Sequence, residues 1–171
     1  GSTCGADGAF FLNSNAGTNW ALDINIPSLG ADLFDVYNWG MFTGCAVGSD
    51  GIALYTTNRW STYVETNTNT SVTLHGVAGD PVTNKLWAAG ENGTIIYTSN
   101  YLLGWITQPT GTTENLNDID MINDELGWAV GNNGTILRYG TGTGELDVPG
   151  SVFRVQFFPN PGKGVYNLQF T

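Results

Sequence analysis

The stretch that decides the fold lies late in the chain and reads Gly127-Trp128-Ala129-Val130-Gly131-Asn132-Asn133-Gly134-Thr135-Ile136-Leu137-Arg138. Its Asn133-Gly134 pair lies between two apolar runs. Asn-Gly in that setting is the strongest short-range hairpin signal, because both central turn residues must take a positive φ. The stretch therefore predicts two short antiparallel strands joined by a tight turn.

The same pattern occurs four times along the chain. The second glycines of the four patterns are separated by steps of 43, 42 and 41 residues, and a leucine precedes three of the patterns by 15 or 16 residues. Each unit then reads as strand, strand, Asx-Gly turn, strand and an outer strand that carries an aromatic residue. Four short antiparallel strands every 40 to 45 residues predict the blade of an all-β propeller. The glycines are Gly8, Gly51, Gly93 and Gly134, and the leucines are Leu33, Leu74 and Leu116.

A single blade cannot bury both faces of its sheet, so the repeats must stack on one another. The first unit opens at its second strand, and the fourth has no clear aromatic outer strand. We therefore expect about four blades that form part of a ring of six to eight. The propeller repeats are assigned to residues 1–142.

Composition limits the classes of partner. The chain has 171 residues with 41% apolar residues, and fifteen acidic residues against five scattered cations give a net charge of −10. Nucleic acid is excluded as an expected partner because phosphate binding needs clustered cations. No apolar run reaches the roughly 18 residues of a membrane span. We predict no catalytic residues, no cofactor and no metal site.

Three sets of ionisable residues are candidates for chemistry. Asp118, Asp120, Asp124 and Glu125 suggest a metal site or a glycosidase carboxylate pair, but Asp118 has a counterpart in Asp35 of the second repeat, which favours a repeated turn or hydrogen-bonding role. His75 is the only histidine and is expected to be structural. Cys4 and Cys45 either form a disulfide or remain separate buried thiols.

The six tryptophans divide into two sets. Four recur at repeat positions and are expected in the core, whereas Trp39 and Trp60 break the repeat and are the candidate exposed ligand contacts, for instance as platforms for sugar stacking. The four recurring residues are Trp20, Trp87, Trp105 and Trp128.

The sequence from Leu116 to Asp120 and from Gly127 to Arg138 resembles the propeller repeats of the photosystem II assembly-factor-like and Asp-box (sialidase-type) group. The segment from Ser14 to Trp20 is similar to a degenerate Asp-box, with Asn15 where that family has Asp. The resemblance covers about residues 3 to 142. It implies a propeller fold, with the box as a structural hairpin, and does not imply an activity.

A second module is predicted after a linker at 143–151. Residues 152–171 contain two alternating apolar segments around Pro159-Asn160-Pro161 and Gly164, and resemble the beginning of the C-terminal sorting domain of type IX secretion cargo in Bacteroidota, a small β-sandwich. That resemblance implies the type IX machinery as a partner. It also implies a location outside the cell or on its outer surface.

The leading hypothesis is a secreted, non-catalytic binding or scaffolding propeller that recognises a polysaccharide, a surface protein or a secretion component. The alternative is an extracellular glycoside hydrolase or lyase whose active site lies partly in missing blades. A third interpretation is that the fragment acts only as transported cargo.

Overall fold

The computed structural model describes residues 1–13, 17–22 and 30–140, together with the backbone of two strands at 153–154 and 165–170. Within these residues the regular elements are β-strands and single 3-10 turns, with no α-helix. The strands form four antiparallel sheets in chain order. The prediction of an all-β repeat protein built from blades is confirmed.

Each sheet is one blade, and the strand order runs from the inner strand outward. The first blade has three strands, the second and third have four, and the fourth has five. The first blade contains β1 (Ser2–Cys4), β2 (Phe10–Leu12) and β3 (Ala21–Leu22). The second contains β4 (Leu33–Trp39), β5 (Thr43–Gly48), β6 (Ala53–Thr56) and β7 (Val64–Glu65). The third contains β8 (Leu74–Asp80), β9 (Lys85–Gly90), β10 (Ile95–Thr98) and β11 (Ile106–Gln108). The fourth contains β12 (Leu116–Asn123), β13 (Leu126–Gly131), β14 (Ile136–Tyr139), β15 (Phe153–Arg154) and β16 (Val165–Phe170).

The Asx-Gly turns form as predicted. In the second blade Asp50 has φ 55° and Gly51 has φ 71°, and the other three turns have the same left-handed pair. A Cβ on Gly51 would lie 2.1 Å from the Thr70 carbonyl oxygen, so glycine is required there by space as well as by φ.

The core is divided into three clusters, and each cluster lies between two consecutive blades. The first pair of blades meets around Phe10 and Trp60, the second pair around Cys45 and Leu86, and the third pair around Trp87. Facing sheets thus bury each other's apolar residues, which is what the stacking argument requires. None of these clusters, which are drawn from the described residues, joins the fourth blade to the first.

The recurring tryptophans are not all buried. Trp87 and Trp105 are buried, which confirms their assignment to the core. Trp128 is half-buried, and Trp20 is half-exposed, so the prediction for Trp20 is wrong. The reason is position: Trp105 packs toward the preceding blade, whereas Trp20 occupies the matching place in the first blade, which has no preceding blade among the described residues.

Strand β16 pairs antiparallel with β14, so the fourth blade takes its outer strand from the end of the chain. The sorting motif, Pro159, Asn160, Pro161 and Gly164, lies outside the described residues, as do residues 143–151 of the linker. The division at 142 and 152 therefore stays a prediction. In the described part of the chain, no helix has the length and apolar character needed to cross a bilayer.

Candidate functional site

A large cleft lies between the first and second blades. Its volume is about 780 Å³, which is within the range of ligand sites. The first blade contributes Ser2 and Leu12, and the second contributes the β4–β5 hairpin together with the turn that follows β6. The cleft therefore lies at the end of the blades opposite the Asx-Gly turns.

The β4–β5 hairpin places two apolar side chains in water beside this cleft. Gly40 turns the chain with φ 67°, and the next two residues are among the exposed large apolar groups, with Met41 72% and Phe42 55% exposed. Two adjacent exposed apolar residues at the rim of a concave surface are typical of an interaction site. The hairpin thus offers a flexible thioether and an aromatic ring to a ligand.

The turn after β6, which also lines the cleft, has an unusual backbone conformation. Arg59 has φ 60° and Trp60 has φ 65°, although neither is Gly, Asn or Asp. Such residues cost on the order of 1–3 kcal/mol each and persist only where the surrounding structure holds them. The Arg59 amide donates to the Phe42 carbonyl at 2.8 Å, and the Trp60 amide donates to Thr56 Oγ1 at 3.1 Å. The first bond ties the strained turn to the exposed hairpin, and the second ties it to the end of β6.

The floor of the cleft is rigid. The Trp60 indole N–H donates to Asn38 Oδ1 at 3.0 Å, and the Trp60 ring lies 4.4 Å from the ring of Phe10 in the first blade. Gly44 lets the indole approach, since a Cβ there would lie 2.6 Å from Asn38 Oδ1 and 2.9 Å from Trp60. The floor of the cleft is therefore fixed by packing between two blades.

Arg59 gives the cleft its charge. Its side chain is exposed, and the ion pair found among the described residues joins Lys85 and Asp124 in other blades. A guanidinium next to exposed apolar groups fits a ligand that carries a carboxylate beside apolar groups. With an apolar pair, a fixed floor and one cation, the cleft can bind such a segment.

Trp39 and Trp60 do not have the predicted exposure. Trp39 is 7% exposed and Trp60 2% exposed, so the prediction that they are exposed contacts is wrong. Trp39 packs between the second and third blades and donates its indole N–H to Asn84 Oδ1 at 2.9 Å. Trp60 still lines the cleft. Contact of either residue with a ligand stays a prediction.

The acidic cluster is spread over separate structural roles. Asp35 Oδ1 accepts from the Val36 amide and Asp118 Oδ1 from the Ile119 amide, both at 2.8 Å, which confirms the repeated hydrogen-bonding role. Asp35 also accepts from the Val77 amide of the third blade at 2.8 Å. Burial raises the pKa of Asp35, and these amide hydrogen bonds counteract that rise. Within the described residues no group of three or more His, Cys, Asp or Glu could hold a metal ion.

The remaining ionisable candidates are also part of the packing. Cys4 and Cys45 are separate free thiols and do not form the disulfide that was the other alternative. Burial raises the pKa of Cys4 to about 12 and also raises that of Cys45, which keeps both thiols protonated and poorly nucleophilic. His75 makes an edge contact with Phe34, with ring centroids 5.5 Å apart.

One recurring element was missed from the sequence. After β6 the Asn58 amide donates to Thr56 Oγ1, and after β10 the Asn100 amide donates to Thr98 Oγ1. In both turns the threonine hydroxyl donates to a carbonyl six residues on, at 2.7 and 2.8 Å. The signal was the repeated Thr-x-Asn at 56–58 and 98–100. It would have located the turn that carries Arg59.

Known structures and families agree with this architecture. A structure described as "YCF48 bound to D1 peptide" is similar with a TM-score of 0.59 and 14% identity, covering 89% of this chain and 56% of that one. The structure of YCF48 from Cyanidioschyzon merolae gives a TM-score of 0.59 and 16% identity, covering 89% and 55%. The chain thus spans about half the length of these propellers, and at such identity the likeness shows the fold. No curated protein matches the chain.

The family model described as "Photosynthesis system II assembly factor YCF48" matches residues 55–140, half of the chain. That range runs from strand β6 in the second blade to the end of β14 in the fourth. It contains the strained turn at 59–60 and two of the four Asx-Gly turns, at 92–93 and 133–134. The chain therefore belongs to the family of the photosystem II assembly factor YCF48.

Proposed function

We propose that the chain is a non-catalytic binding propeller that holds a peptide segment of a partner protein in the cleft between its first and second blades. The observation that carries this proposal is that the exposed Met41–Phe42 pair and the exposed Arg59 line the same cleft of about 780 Å³. The membership of the assembly-factor family supports a role in binding or assembly. The bound D1 peptide in one similar structure supports a peptide as the type of ligand.

The chemistry of the rim defines the segment. Arg59 pairs best with a carboxylate, whereas Met41 and Phe42 bury apolar side chains. The rest of the chain is acidic, with a net charge of −10. A segment with a carboxylate next to apolar residues therefore orients itself with its charge at Arg59.

Selection from a random-peptide display library on the immobilised chain tests the proposal. Enriched peptides are expected to contain Asp, Glu or a free C-terminus beside apolar residues. In fluorescence polarisation, Phe42→Asp and Arg59→Ala should each weaken binding of such a peptide by about tenfold or more. Val82→Asp is the matched control, because Val82 is exposed in the corresponding hairpin of the third blade.

Two results would contradict the assignment. One is equal binding by all three variants, which would place the ligand elsewhere. The other is measurable turnover of a panel of aryl glycosides by the wild-type chain, which would favour the enzyme alternative.

We further propose that the protein reaches the cell surface as type IX cargo, with the type IX machinery as its partner. Its support is the sequence of the second module, in which Pro159, Asn160, Pro161 and Gly164 follow the pattern of the sorting domain. Expression behind a periplasmic leader, in matched type IX-competent and translocon-deficient strains, tests it. Surface or medium recovery only from the competent strain is expected, and equal recovery from both strains would end the proposal.

A further inference from the structure

The sulfur atoms of the chain differ sharply in their access to solvent. The sequence contains two cysteines and two methionines, and all four lie among the described residues. Met41 is 72% exposed, whereas Met121 is 8% exposed. Cys45 is buried and Cys4 is half-buried. An oxidant that attacks sulfur from solvent therefore meets Met41 first.

The exposure of Met41 is a property of its hairpin. The residue follows Gly40 in the short turn between β4 and β5. The corresponding hairpin of the third blade leaves Val82 85% exposed, although that blade lies between a four-stranded and a five-stranded sheet. A residue at this tip is exposed because the chain reverses beyond the packed faces of the sheets.

The other three sulfur atoms are protected by their surroundings. Burial raises the pKa of Cys4 to about 12 and also raises that of Cys45, so the thiolate that peroxides attack is scarce at both positions. Met121 packs between the third and fourth blades, where Gly127 leaves room for its sulfur. A thioether does not ionise, so exposure decides which methionine reacts.

We propose that Met41 is a site of reversible oxidation by peroxides and that its sulfoxide weakens binding of the segment held in the cleft. The second half of this inference rests on the proposed function. In the reaction the thioether sulfur attacks one peroxide oxygen, the O–O bond breaks, and a proton converts the leaving hydroxide into water. The sulfur loses two electrons and the peroxide gains them. A dithiol-dependent sulfoxide reductase reverses the step and forms a disulfide and water.

The sulfoxide changes the chemistry of the rim. Met41 and Phe42 together offer an apolar surface, whereas a sulfoxide is polar and only accepts hydrogen bonds. A ligand with a carboxylate beside apolar side chains has no side-chain donor for the new oxygen. Arg59 lines the same cleft, but a guanidinium that donates to the sulfoxide competes with the carboxylate of the ligand. Binding is therefore expected to weaken by about tenfold.

A time course of the full chain in hydrogen peroxide tests the first half of the inference. After digestion, mass spectrometry locates each added oxygen atom. In the folded chain Met41 should gain oxygen about tenfold faster than Met121, whereas in urea the two rates should be equal because both side chains are then exposed. Equal rates in the folded chain, or a cysteine that gains oxygen before Met41, would overturn the proposal.

Fluorescence polarisation tests the second half with a labelled, display-selected peptide that contains no methionine or cysteine. Peroxide should weaken binding by about tenfold in the wild-type chain and in Met121→Leu, a substitution that nearly conserves volume. Sulfoxide reductases for both epimers should restore it. Met41→Leu should keep its own affinity throughout the treatment.

The outcomes separate this inference from the proposed function. Unchanged binding by a wild-type chain that is oxidised at Met41 would overturn the inference and leave the peptide site intact. An equal loss in Met41→Leu would assign the effect to another group and would overturn it too. Failure of selected peptides to bind the unoxidised chain would instead contradict the proposed function, and the loss of binding on oxidation with it.

Discussion

The third and fourth blades have nearly the same strands, turns and repeat residues, but their outward faces differ in environment. Trp87 is buried against the fourth blade, whereas Trp128 occupies the same place on β13 and is only half-buried. Ala89 is inaccessible, whereas Val130 is 43% exposed. The burial of a repeat position is thus decided by the neighbouring blade, because stability in stacked repeats comes largely from the interface between them.

Truncation of the two tryptophans tests this difference most directly. Trp87→Ala should lower the free energy of unfolding by about 3–5 kcal/mol, because it leaves a cavity between two sheets. Trp128→Ala should cost about 1 kcal/mol, because the residue already contacts water. Urea unfolding at a concentration where sedimentation shows a single chain is the measurement. Equal losses for the two variants would mean that the fourth blade is covered in the same way as the third.

Much of the fold could be predicted because its signals are local. Asn133-Gly134 and its three counterparts require a left-handed turn, and the leucine that begins each inner strand, such as Leu74, recurs at a fixed distance. The buried positions of Trp87 and Trp105 followed from the repeat alone. These features depend on one blade at a time.

The candidate site could not be predicted, because it depends on two blades. Trp39 and Trp60 break the repeat, which predicts exposed residues, yet one is buried by the third blade and the other by the first. The conformation of Arg59 and Trp60 has no sequence signature, since neither residue type favours a positive φ. The packing of Phe10 on Trp60 and the hydrogen bond from the Arg59 amide to the Phe42 carbonyl explain this conformation.

A second contrast, between a crowded and an open turn, is expected to have a smaller effect. Gly93 in the third blade has φ 66°, and a Cβ there would lie 2.1 Å from the Thr112 carbonyl oxygen. Gly111 has φ 73° with nothing within 4 Å of the same position. Gly93→Ala should therefore cost about 2–3 kcal/mol, from strain and displacement together, and Gly111→Ala about 1 kcal/mol, from strain alone.

Thermal unfolding followed by circular dichroism measures both glycine variants. A Gly111→Ala variant that loses as much stability as Gly93→Ala would show that the left-handed backbone alone sets the cost. The close approach of Thr112 would then be irrelevant to stability. The loss of stability at both positions would then come from conformational strain alone.

The smallest expected effect is a pH dependence from Asp35, whose carboxylate lies at the junction of the second and third blades. Asp35 bonds to the third blade through the Val77 amide, whereas Asp118 lies on the fourth blade, beyond which the described residues contain no further blade. Burial raises the pKa of Asp35 above its ordinary value of 3.8. A raised folded-state pKa means that the stabilisation from this carboxyl is fully present below 3.8 and is lost as the pH rises through the folded value.

Asp35→Asn removes this titration while keeping an acceptor for the Val77 amide. The free energy of unfolding of the wild-type chain, measured relative to this variant, should fall as the pH rises from about 3 to about 7. Urea titrations at each pH give the difference. A difference that does not change with pH would show that the Asp35 carboxylate of the wild-type chain remains effectively solvated at the junction of the two blades. The third blade would then bury apolar groups there without destabilising the ionised form of this carboxyl.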